Sequence, residues 1–109
     1  MATIEDLQRL DVRVGRVLSV QELPEARTPA WQLEIDFGAE VGVKRSAAQI
    51  THYPREALEG RLVVAVVNFP PRKVAGFASE VLLLGAMDPQ RGVVLLQPDG
   101  EAELGSPIA

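Results

Sequence analysis

From Trp31 to Phe37 every second residue is apolar, and few other features of this chain narrow its fold as sharply. Trp31, Leu33, Ile35 and Phe37 fall on one side, and Gln32, Glu34 and Asp36 on the other. A period of two marks an extended strand with one face in a core and one in water. The period recurs upstream, where Val12, Val14, Leu18 and Val20 alternate with polar residues. Gly15 interrupts that run and predicts a bulge or bend there. A third strand is expected over residues 41–49, after a turn at Gly38 to Glu40. Leu62 to Val67 is continuously apolar, which suits a strand buried on both faces. A Pro70-Pro71 break leads through residues 72–79 to further strands at 80–85 and 93–97, and Pro98-Asp99-Gly100 turns the chain into a C-terminal extension.

Helical signals are brief. Thr3 is placed to cap a short N-terminal helix, with Ile4, Leu7 and Leu10 on one face and Glu5 and Asp6 at its positive end. Pro54 and Gly60 bracket a helix of one or two turns. The 109 residues suffice for one domain, residues 1–109, and hardly for two. The expected class is all-β: a five-stranded OB-fold barrel with a short helix between strands three and four, an N-terminal helix and a C-terminal extension. An SH3-like barrel or a β-sandwich would show similar spacing, and pattern alone leaves them as rivals.

The chemistry of catalysis is missing from the sequence. There is no cysteine, and His52 is the only histidine, so thiolate sites and multi-histidine metal cages are excluded. Gly76-Phe77-Ala78-Ser79-Glu80 is not a nucleophile elbow, and no glycine-rich phosphate loop occurs. Glu34 and Asp36 alternate on the polar face of a strand, where solvation explains them. A non-enzymatic protein without cofactor or metal is expected. The acidic start, Met1 to Leu10, lacks the features of a secretory signal, and no apolar run approaches membrane-spanning length. A cytoplasmic location without membrane insertion is therefore expected.

The net charge of −4 disfavours a general affinity for phosphate backbones, so any nucleic-acid site must be a local patch. One exists. From Gly60 to Ser79 there are three basic residues, Arg61, Arg72 and Lys73, and no acidic one, and Lys44-Arg45 lies upstream. The segment 68–77 adds Phe69 and Phe77, rings that could stack on bases or anchor a polypeptide.

Several stretches together carry a resemblance. Leu10-Asp11-Val12-Arg13-Val14-Gly15, Leu23-Pro24-Glu25-Ala26-Arg27, Ile35-Asp36-Phe37-Gly38, Ala48-Gln49-Ile50-Thr51 and Val66-Val67-Asn68-Phe69-Pro70-Pro71-Arg72 resemble, in order, the CsaA family of export-related chaperones. Ala75-Gly76-Phe77-Ala78-Ser79-Glu80-Val81-Leu82, followed by Leu84-Gly85, does the same. That family belongs to the tRNA-binding OB domains. The resemblance implies an OB-fold, a homodimer, no cofactor, and a holding role toward unfolded preproteins bound for the export machinery, with capacity for tRNA. A dedicated structure-selective tRNA binder is the alternative. Ser46-Ala47-Ala48-Gln49 stands where the family often has Ser-Ser-Ala-Gln. Ser79-Glu80-Val81 stands where dedicated tRNA binders commonly carry Ser-x-Gly-Met, which sets a carboxylate beside the expected phosphate path.

The expected tRNA contacts are Lys44, Arg45, Arg72 and Lys73, with hydrogen bonds from Ser46, Gln49 and Ser79. The expected polypeptide anchors are Tyr53, Phe69, Phe77 and Trp31. Ile4, Leu7 and Leu10 at one end, with Leu95, Leu96 and Ile108 at the other, are the expected dimer contacts, because a small barrel has difficulty covering both ends.

Overall fold

The computed structural model describes residues 1–109 and is built around one long strand, β1 (Val12–Glu22). It is followed by β2 (Trp31–Asp36), a single-turn helix, β3 (Val43–Ala48), a second single-turn helix at Arg55–Leu58 and β4 (Leu62–Val66). Numbered in chain order, the helices are α1 (Ile4–Gln8), α2 (Gly38–Val41) and α3 (Arg55–Leu58). Two short strands, β5 (Arg72–Val74) and β6 (Phe77–Ser79), pair as a hairpin. Then come β7 (Leu82–Leu83), β8 (Gly85–Asp88) and β9 (Gly92–Leu95), the last two forming a second hairpin.

The main sheet has the order β3-β2-β1-β4-β7, with all its pairs antiparallel. β1 changes partner midway: Val12 to Arg16 pair with β4, and Arg16 to Glu22 pair with β2. The sheet curls until β3 meets the segment between β6 and β7. There Glu80 N–H donates to Arg45 O at 2.8 Å, Ser46 Oγ donates to Val81 O at 3.1 Å, and Ala47 N–H donates to Ser79 Oγ at 3.0 Å. This seam makes a nearly closed five-stranded OB-fold barrel, with α3 between β3 and β4 as expected.

Alternation puts Leu33, Ile35 and Phe37 inside, each fully buried, where they meet Val17, Val20, Val63, Ala65, Val81 and Leu95. Burial of each such large side chain contributes roughly 1.5–3 kcal/mol. Leu58 brings α3 into the same cluster. β4 is buried on both faces, since Val64 and Val66 join Val12 in a second, smaller cluster. The C-terminal extension lies along β1: Gly105 N–H donates to Val14 O, Val14 N–H to Ser106 O, and Ile108 N–H to Val12 O. Arg16 Nη2 holds both carboxylate oxygens of Glu101 at 3.0 Å.

Thr3 caps α1 as expected, in a reciprocal pair with Asp6. Other expectations need correction. The bulge in β1 is not at Gly15, which faces Val63 in regular register; the ladder slips between Val17 and Ser19. Leu18 is consequently exposed, and Val17 takes the buried position. Gly15 serves close packing instead, because a Cβ there would lie 2.7 Å from Ile35 Cγ2 and from Phe37 Cε1. Gly38 to Glu40 starts α2 rather than a plain turn, so β3 begins at Val43. Residues 72–79 form a hairpin, and the strand expected over 80–85 divides into β7 and the start of β8. Leu95, expected at a dimer surface, is a buried member of the core.

Candidate functional site

The barrel seam is flanked by the β5–β6 hairpin on one side and the β8–β9 hairpin on another, and a groove of about 530 Å³ runs among them. Buried Ala30, Ile50, Val81 and Leu95 underlie it, while Arg72, Lys73, Leu82 and Met87 are exposed around it. Arg72 and Lys73 are brought here by β5, which pairs with β6 through Arg72–Ser79 and Lys73–Ala78. Neither cation forms an ion pair. The groove thus combines an apolar floor with two uncompensated positive charges.

Five of the seven residues expected at a tRNA site line this groove: Ser46, Gln49, Arg72, Lys73 and Ser79. They do not play equal parts. Gln49 is exposed, but Ser46 and Ser79 are buried and their hydroxyls are engaged in the seam hydrogen bonds. Arg45 points to the next depression, about 200 Å³, which it lines with Phe77, Ser19, Gln21, Gln32 and Glu34. Its guanidinium lies over the Phe77 ring, 4.8 Å from the centroid. Lys44 sits opposite Ile35 in the ladder, alternates away from Arg45, and lines neither depression.

The expected polypeptide anchors divide in two. Phe69 is exposed and lines a cleft of about 230 Å³ beside Arg72, Glu80 and Leu82. Phe77 is half-buried beneath Arg45. Trp31 and Tyr53, by contrast, serve the fold and lie outside the groove. Trp31 Nε1 donates to Tyr53 O at 3.1 Å, Tyr53 Oη accepts from Leu95 N–H at 3.0 Å, and both rings pack on the main core. An arginine caps each ring, Arg55 over Trp31 and Arg61 over Tyr53.

Sequence reasoning missed the polar outer face formed by Ser19, Gln21 and Gln32. Alternation did mark Gln32 and Glu34 as outward-facing, a signal that could have found it. It also missed Met87, the most exposed apolar side chain after Met1, which lies on the groove. His52 Nε2 is 2.8 Å from the main-chain oxygen of Val93, in β9. No group of three or more acidic, histidine or cysteine side chains is placed to hold a metal. No helix is long and apolar enough to cross a membrane.

A family model described as "Putative tRNA binding domain" matches residues 12–107. Among solved structures, the CsaA chaperone protein of Picrophilus torridus is 48% identical, with a TM-score of 0.95 and complete coverage of both chains. The chaperone CsaA of Bacillus anthracis str. Ames is 53% identical, with a TM-score of 0.91, covering 100% of this chain and 99% of that one. The methionine–tRNA ligase of Pyrococcus abyssi is 36% identical over 104 residues, which are 95% of this chain but 14% of the ligase.

Proposed function

This chain belongs to the tRNA-binding domain family, in its CsaA-type branch, and on that premise we propose that it is a homodimeric, non-enzymatic chaperone that holds unfolded segments of preproteins in the cytoplasm before export. The observation that carries the reading is the groove of about 530 Å³, apolar beneath and open to solvent. An extended segment laid there would cover Leu82, Val93 and Met87, and its release would need no bond broken and no cofactor. Holding rather than folding fits a shallow site, because affinity comes from apolar area and stays modest without a deep anchor. The test is suppression of aggregation of an unfolded model polypeptide. Met87→Asp, at an exposed position on the groove, is expected to weaken suppression with no loss of melting temperature. Full suppression by this variant would refute the groove as the holding site.

The family favours a second activity, tRNA binding, which the free cations of the β5–β6 hairpin support. Phosphates would meet Arg72 and Lys73 while Phe77 and Arg45 offer a stacking surface on the adjoining face. Two phosphate contacts, at Arg72 and Lys73, predict a log–log salt slope of roughly −1.4 to −1.8, and Lys73→Ala should reduce its magnitude by about 0.7–0.9 across different tRNAs alike. A slope of zero for the unmodified protein would exclude this second activity.

A further inference from the structure

Glu80 stands at the barrel seam, between the residues that carry the two proposed activities. Its main-chain N–H donates to Arg45 O at 2.8 Å, and its carboxylate accepts Arg45 N–H at 3.0 Å. The same carboxylate oxygen is 4.0 Å from Arg45 Nε, while the guanidinium stays on the Phe77 ring. On its other side Glu80 lines the small cleft that Arg72 and Phe69 share. One fixed negative charge therefore borders both the stacked arginine of the outer face and an arginine of the groove. A phosphodiester that reached Arg45 would be placed next to this carboxylate and would meet like-charge repulsion. A neutral, apolar polypeptide would lose nothing by its presence.

We infer that Glu80 is a specificity-determining residue that biases this surface toward polypeptide by opposing polyanions at Arg45. The inference rests on the proposed reading that the surface binds both ligand classes. It does not require Glu80 to touch polypeptide.

The informative variant is Glu80→Gln, since the amide oxygen can still accept Arg45 N–H and so keep the seam. Binding of unfractionated tRNA would be measured between about 50 and about 200 mM salt, beside suppression of aggregation of the unfolded polypeptide. Glu80→Gln is expected to tighten tRNA binding about 3- to 10-fold at the low-salt end, as removal of one near charge predicts. It should steepen the salt slope by about 0.7–0.9, because Arg45 becomes free to neutralise one more phosphate. Adding Arg45→Ala should abolish the gain, and suppression of aggregation should be unchanged. Glu103→Gln, an exposed carboxylate on the C-terminal extension, controls for net charge. Unchanged affinity and slope in Glu80→Gln would overturn the inference, and so would an equal gain in Glu103→Gln. The slope of the unmodified protein judges tRNA binding separately, because the inference stands on the difference between variant and parent.

Discussion

A methyl group at position 15 has nowhere to go. Gly15 continues the ladder opposite Val63, and the space its side chain would need is filled by Ile35 and Phe37. Both neighbours are fully buried in the main core and have little freedom to withdraw. Gly15→Ala is therefore expected to destabilise the protein by about 1–3 kcal/mol, the usual cost of overpacking. Denaturant melts against the parent would show it, and an unchanged midpoint would mean that the barrel is looser here than the distances indicate. Sequence alone signalled that Gly15 mattered but not why. A glycine within a strand serves either a bulge or a close approach, and only the positions of β2 decide between them. The same limit applies to the aromatic residues. A preference of aromatics for binding sites marks Trp31 and Tyr53 as candidate anchors, yet Tyr53 Oη accepts a hydrogen bond from a main-chain N–H 42 residues away. No local pattern reveals such a partner.

Elements were legible where burial imposes a strict period. β2 alternates cleanly because one face meets the core, and β4 is uniformly apolar because both faces are covered. The pairing of β5 with β6 has no clear signal in the sequence, because the turn, Ala75-Gly76, lacks the Asn-Gly or Asp-Gly signature of a tight hairpin. Both turn residues have positive φ, 51° at Ala75 and 82° at Gly76. Alanine is strained in that region, whereas asparagine tolerates it. Ala75→Asn is thus expected to raise stability by about 0.5–1 kcal/mol, read as a higher melting temperature, with the groove cations undisturbed. The candidate site was legible in part for the same reason: Arg72 and Lys73 adjoin in sequence, while the floor beneath them comes from four separate segments of the chain, at Ala30, Ile50, Val81 and Leu95. The β8–β9 turn offers a pH test. Asp88 accepts main-chain hydrogen bonds from Arg91 and Gln90, which hold its carboxyl below the ordinary range. A depressed folded-state value stabilises the hairpin at pH above the ordinary aspartate value of about 3.9, and the contribution is lost as pH falls through the lowered one. Titration followed by NMR at Asp88 should give a midpoint below that ordinary value, and a midpoint at or above it would show the turn to be open in solution.

At the scale of the whole molecule, the least satisfied surface surrounds α1. This five-residue helix buries none of its residues, although Thr3 and Asp6 cap it well. A helix so short has no stability of its own in water, since nucleation outweighs the few bonds it gains. Ile4 is 71% exposed, Leu7 50% and Ile108 45%, and with Leu10 they border a depression of about 510 Å³. Apolar groups gathered in this way call for cover, and a second copy of the chain is the partner the proposed function supplies. Of the six residues expected at the interface, Leu95 lies in the core and Leu96, though exposed, does not line this depression, but Ile4, Leu7, Leu10 and Ile108 border it together. Sedimentation at micromolar concentration should therefore give twice the 11.8 kDa of one chain. Leu7→Asp should shift the equilibrium to monomer, because it places a charge within the proposed interface where desolvation is unfavourable. The barrel should survive this change, since Leu7 belongs to neither core cluster. A parent protein that sediments as a single chain would refute the dimer. A Leu7→Asp variant that remains dimeric would move the interface away from α1.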